Sequence, residues 1–152
     1  LGSETTGGYY NNSAQAAEKL LIRERAYIDS AIPSANGIAI ANLVRISLLT
    51  DNLDYRQKAE QGLQAFATIM ARSPQACPTL FNALDWLLNG NLVTTTQETF
   101  TNLITQFLPT TVYRIVNVND LPEGVIGLTC KDTSCLEPAT SFKELLEQIK
   151  SL

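Results

Sequence analysis

Histidine is absent from the 152 residues. With it go the commonest general base, the commonest metal ligand and every catalytic triad built on an imidazole. Cysteine is scarce: Cys77, Cys130 and Cys135 are odd in number and too few for the framework of a small secreted domain. No apolar run approaches the roughly 18 residues that a membrane span needs. Cations are outnumbered, 11 Lys and Arg against 15 Asp and Glu, for a net charge of −4. Nucleic acid and anionic membrane surfaces, which need clustered positive charge, are therefore not expected partners. The start, Leu1-Gly2-Ser3-Glu4, has neither the basic nor the apolar stretch of a secretory signal. A cytoplasmic, reduced setting is the expectation, and the lack of an initial Met reads as an end cut from something longer. No phosphate-cradling glycine loop, dinucleotide fingerprint or nucleophile elbow is found. Glu60 and Asp85 are single acids without a carboxylate partner, so no glycosidase pair is assigned. No cofactor and no metal are expected, because two neighbouring cysteines alone make a poor zinc site.

What is present is a folding sequence. Apolar residues make up 45% and charged residues 17%, too greasy and too weakly charged for disorder. Residues 1–90 and 91–152 have different rhythms and are expected as two regions. In the first, Gly7-Gly8-Tyr9-Tyr10 and residues 20–24 suggest a hairpin, with a helical turn over Ala14–Lys19 as the alternative. Three helices follow. Ser34, after Pro33, is placed to cap one running to about Thr50, with Ile40, Leu43, Val44 and Leu48 inward. Asp54 caps a second through Ala59, Leu63, Phe66, Ala67 and Met70. Ser73-Pro74 opens a third, with the stripe Cys77, Leu80, Phe81, Leu84 and Leu88, and Trp86 off that stripe. Short loops make neighbours antiparallel.

The second region alternates. Leu92–Thr95 and Thr111–Val118 read as strands around a helix capped by Thr96 and running through Phe107, an order that implies a parallel pair. Val125–Cys130 is a third strand, whose short approach from Val116 favours an antiparallel direction. Ser141-Phe142-Lys143-Glu144 is a capping box that opens a last helix. The expected class is α+β, mainly helical, ending in a small three-stranded α/β unit.

Three separated motifs stand in order along the chain: Gly7-Gly8-Tyr9-Tyr10, Leu21–Asn36, and Cys130 through Leu146 with Cys135 and Pro138. On these the chain resembles the C-terminal part of the YyaL/spermatogenesis-associated thioredoxin-domain family. Asp29, Ala31, Pro33, Ser34 and Asn36 match that family's pattern, whereas Ser30 and Ala35 replace its two glycines. The resemblance implies the last helices of an (α/α)6 toroid followed by a small α/β end, without the thioredoxin-like domain. It also implies a carbohydrate-like ligand in the toroid funnel, with Asp29, Ser34 and Asn36 contributing to it.

Each candidate residue has a plainer reading. Ser34 caps a helix, while Asp29 and Asn36 shape the turn before it. Arg23 and Arg25 share a face if the segment is extended, fit to hold a carboxylate or sugar hydroxyls, or else to form a solvated face or bridge nearby acids such as Glu18 and Asp29. Cys130 and Cys135 are spaced to close a reversible disulfide, with Lys131 beside them to lower a thiol pKa. Tyr9, Tyr10, Tyr27 and Trp86 suit sugar stacking or packing. Functionally, a module of a larger toroid protein without a complete active site stands first, and an interaction module second. A standalone epimerase is disfavoured by the missing histidines. Unpartnered helix faces lead to the expectation of a homo-oligomer, a dimer, or of a partner chain supplying the missing helices.

Overall fold

The computed structural model describes residues 7–13 and 23–152. Among these residues it is α+β and mainly helical, with five α-helices and one four-stranded mixed sheet. The chain forms two compact units: one of residues up to Ser47 with Asn52–Leu88, the other of Leu48–Asp51 with Asn89–Leu152. Of the expected N-terminal hairpin, residues 20–22 and the 14–19 stretch lie outside the described residues. What is described brings the two arms together, since the Asn11 amide donates to the Glu24 carbonyl at 2.9 Å.

Helices α1 (Ala35–Thr50), α2 (Leu53–Arg72) and α3 (Pro78–Asn89) dominate the first unit. Helix α1 buries Ile40, Ala41 and Val44. Helix α2 buries Ala59, Gly62, Leu63, Phe66 and Met70. Gly62 is a contact rather than a weak point, because a Cβ there would stand 2.9 Å from the Ile40 side chain. The cap of α2 is Asn52, not Asp54: the Asn52 Oδ1 accepts from the Asp54 amide at 2.9 Å. The chain has already turned at Asp51, which takes a left-handed φ of 55°, so the helix begins two residues sooner.

Two corrections concern α3. Pro74–Ala76 forms only a 3-10 turn, and the α-helix restarts at Pro78. A continuous helix from Pro74 would place Pro78 where its missing N–H and its ring both oppose the bond to the residue four back. Restarting puts Pro78 at the first helical position, where neither matters. The inward face also differs from the expected stripe. Leu80, Ala83 and Trp86 are buried, whereas Phe81 and Leu88 stay 39% and 58% exposed. Trp86 therefore points in, with the Arg45 guanidinium 4.3 Å from its ring centre. The helix is apolar on two sides, so spacing alone does not select the buried one.

In the second unit the sheet order is β2–β1–β3–β4. Strands β1 (Asn91–Thr96) and β2 (Thr111–Val116) run parallel, with Val93 opposite Tyr113. Helix α4 (Gln97–Leu103) joins them, and the Thr96 hydroxyl accepts from the Thr99 amide at 3.5 Å. It stops short of Phe107. The Thr105 hydroxyl donates to the Asn102 carbonyl and competes for the last-turn acceptors, and Phe107 beyond the helix end is 87% exposed. Strand β3 (Gly127–Lys131) pairs antiparallel with β1, Val93 opposite Thr129. The link from β2 holds only a 3-10 turn at Val118–Asp120, too short for a second parallel crossover.

A fourth strand corrects the expected three. Strand β4 (Ser134–Cys135) returns along β3, with Cys130 opposite Cys135. Its two residues give no periodic signal, and the turn depends on Asp132 at a left-handed φ of 52°. Helix α5 (Phe142–Ser151) opens as expected, the Ser141 hydroxyl accepting from the Glu144 amide at 3.3 Å. The Glu144 carboxylate accepts from the Thr140 amide at 2.9 Å. Leu145 and Ile149 then complete a core with Val93, Leu103 and Ala139.

Candidate functional site

The polar cluster of the first unit grows from one carboxylate. Asp29 Oδ1 accepts from the Ser34 amide at 2.5 Å and from the Thr79 hydroxyl at 2.6 Å. Its Oδ2 accepts from the Thr79 amide at 2.6 Å. Asp29 thus joins the entry to α1 with the first turn of α3, where unpaired amides and the helix dipole both favour a negative charge. Burial alone would raise its pKa. The hydrogen bonds from Thr79 and Ser34 outweigh that, and the carboxyl titrates below its ordinary value. Ser34 caps α1 as its position suggested, its hydroxyl accepting from the Gly37 amide at 3.2 Å.

Asn36 is fully buried and its amide is used on both sides. Its Oδ1 accepts from the Tyr9 amide at 2.6 Å, while Nδ2 donates to the carbonyls of Tyr9 and Ala26 at 3.0 and 2.8 Å. It pins the two N-terminal arms to the start of α1. Gly7 and Gly8 make this approach possible. Both have left-handed φ, 69° and 73°, and a Cβ on Gly7 would fall 2.2 Å from the Gln61 carbonyl oxygen.

Arg23 and Arg25 do share a face. The Arg23 guanidinium lies 3.9 Å from the Tyr10 ring centre and that of Arg25 lies 5.4 Å away. Arg23 also donates to the Asn12 carbonyl at 3.1 Å, and Arg25 to the Gly7 carbonyl at 2.7 Å. Asp29, Ser34 and Asn36 come together at the foot of α1, and Arg23 serves the neighbouring arm. Thr79 is the member that sequence reasoning missed. A threonine straight after a helix-opening proline was the available signal, but its partner lies 50 positions away.

Cys77, buried between the 3-10 turn and α3, keeps a free thiol. Burial pushes its pKa up, and the Asp29 charge adds to the effect. Cys130 and Cys135 are joined in a disulfide across the β3–β4 hairpin. Lys131 does not serve their sulfurs. Its ammonium donates to the Leu152 oxygen at 2.8 Å, and alternation along β3 sends it to the face opposite Cys130. Among the described residues no three acidic, cysteine or histidine side chains converge as a metal site. Among the described residues no helix is long and apolar enough to cross a membrane.

The first unit also carries an open groove of about 470 Å³ between α2 and α3. Leu63, Ala67, Met70, Phe81 and Leu84 line it, and Gln64 is its polar edge.

No protein-family model matches the chain. Over 78 residues, 51% of its length, it is 37% identical to Spermatogenesis-associated protein 20 of Rattus norvegicus and 36% identical to that of Homo sapiens. These relatives are thioredoxin-domain family members. The chain spans about a tenth of their length.

Proposed function

We propose that this chain is a structural module of a larger thioredoxin-domain protein, whose apolar helix faces are covered by further helices of an α/α toroid. The groove between α2 and α3 carries the reading. Phe81 lines the groove and stays 39% exposed, and outside it Leu88 on α3 and Ile38 on α1 are also exposed. Apolar surface of this kind, rimmed by polar residues, is typical of faces that meet another chain segment. The match to a tenth of a long relative supports the same view. The module supplies packing surface and no complete active site. A carbohydrate-like ligand remains part of the wider proposal for the toroid, and the cytoplasm remains its proposed setting. Asp29, Ser34 and Asn36 already hold the fold together, so such a ligand would be met mainly by Arg23 and its neighbours.

Alone, the chain is expected to self-associate through the groove. Light scattering at low micromolar concentration should give about twice the monomer mass, and Phe81→Ser with Leu84→Ser should return it towards the monomer. A clean monomer that melts cooperatively and binds no hydrophobic dye would overturn the proposal.

A further inference from the structure

The Cys130–Cys135 bond occupies an unusual place for a structural staple. It closes a ring with only four residues between its ends, Lys131-Asp132-Thr133-Ser134, and those ends are already paired in the sheet. A crosslink removes little chain freedom when the loop it closes is this short. Nor does it reach into the core. Gly127 and Thr129 are buried on the α5 side of β3, and a Cβ on Gly127 would meet Leu145 at 2.7 Å. Cys130, one position out of phase, lies on the opposite face.

The hairpin does two things for exchange chemistry. The Thr129 carbonyl accepts from the Leu136 amide at 2.9 Å, which places Cys130 and Cys135 at the close, non-hydrogen-bonded pair of the ladder. The two residues face each other across the ladder, with Cα atoms 3.9 Å apart, so strand pairing favours their meeting. Access is one-sided: Cys135 is exposed and Cys130 is half-buried. The third cysteine, Cys77, is buried with a raised pKa and does not compete as a nucleophile.

We propose that Cys130 and Cys135 form a thiol–disulfide exchange site, opened by a dithiol reductant at the Cys135 sulfur. A thiolate of the reductant attacks Cys135 Sγ, forming a mixed disulfide, and the Cys130 sulfur leaves as a thiolate that takes a proton from water. The second thiol of the reductant then attacks its own sulfur in the mixed disulfide and releases Cys135, which is protonated in turn. The pair gains two electrons and two protons, and the dithiol becomes a disulfide. Reduction frees β4 from its crosslink while leaving the α5 face of β3 intact.

The test is equilibration of the full chain in dithiothreitol buffers of graded redox poise, followed by acid quench, alkylation and intact-mass measurement. Two alkylations are expected to appear together and reversibly under native conditions, Cys77 reacting only after unfolding. Thermal unfolding should show the same single transition before and after reduction. In parallel, Cys130→Ser and Cys135→Ser each leave one thiol of the pair, and glutathione disulfide should modify the first variant about tenfold faster. A bond that resists reduction until the chain unfolds, or whose reduction itself unfolds the chain, makes it a staple and overturns the proposal. Faster modification of the Cys135→Ser variant would overturn the assignment of the attacked sulfur.

Discussion

Replacing Asp29 by alanine is expected to cost about 2–4 kcal/mol of stability at neutral pH, more than an ordinary cap. A single cap serves one helix, whereas this carboxylate accepts from the Ser34 amide before α1 and from both the amide and the hydroxyl of Thr79 in α3. Removing it strands these donors at two helix starts. Its half-buried setting keeps the loss below that for a fully buried pair. Asp29→Asn preserves an acceptor oxygen but not the charge, and should lose about 1–2 kcal/mol. The pH dependence separates charge from geometry. The folded carboxyl titrates below its unfolded value of roughly 4, so its contribution is complete above that value. It disappears as pH falls through the folded pKa. Urea melts of the native chain should weaken over that acid window, and the Asn variant should lack this component. Equal acid sensitivity of the two would show that the charge does not bridge these helices.

Leu145→Ala should be about as damaging, at about 3–4 kcal/mol, and should act on the second unit. Leu145 is fully buried in the core with Val93, Leu103, Ala139 and Ile149. The side chain fits because residue 127 is glycine: a Cβ there would stand 2.7 and 2.9 Å from the two Leu145 methyls. Gly127→Ala alone should therefore overpack, costing about 1–3 kcal/mol. In the Leu145→Ala background the same change should recover stability, because the new methyl enters the cavity. Denaturant melts of the four proteins give the coupling. Simple additivity would mean that the two residues do not share that space.

Much of this fold was legible in the residues. Ser34, Thr96 and Ser141 each cap the helix they precede, because a short hydroxyl side chain satisfies an orphan amide with only local geometry. The parallel β1–β2 pair followed from strand–helix–strand order, and the short link to β3 pointed to its reversed direction. Misreadings arose where a local rule had two solutions. Both Asn52 and Asp54 are cap residues, and the backbone at Asp51 decided between them. Helix α3 has greasy residues on two sides, so Trp86 and Phe81 exchanged places relative to the expectation. The capping role of Asp29 was readable from its neighbourhood with Ser34, but its hold on Thr79 is created by tertiary packing. The Cys130–Cys135 spacing allowed a disulfide; the two-residue strand that aligns the pair was below the reach of periodicity.

The sheet has unequal borders. Among the described residues one border is β4 with two residues and the other is β2 with six, paired to a neighbour strand on one side only. A foreign strand seeking main-chain partners would thus find the longer template at β2, whose β-branched run Thr111–Val116 favours such growth. Arg114 interrupts that run, its guanidinium fastened to Asp51 at 2.9 Å and to the Leu49 carbonyl at 2.7 Å. This cation breaks the β-branched run of β2 and disfavours the addition of another strand along that border.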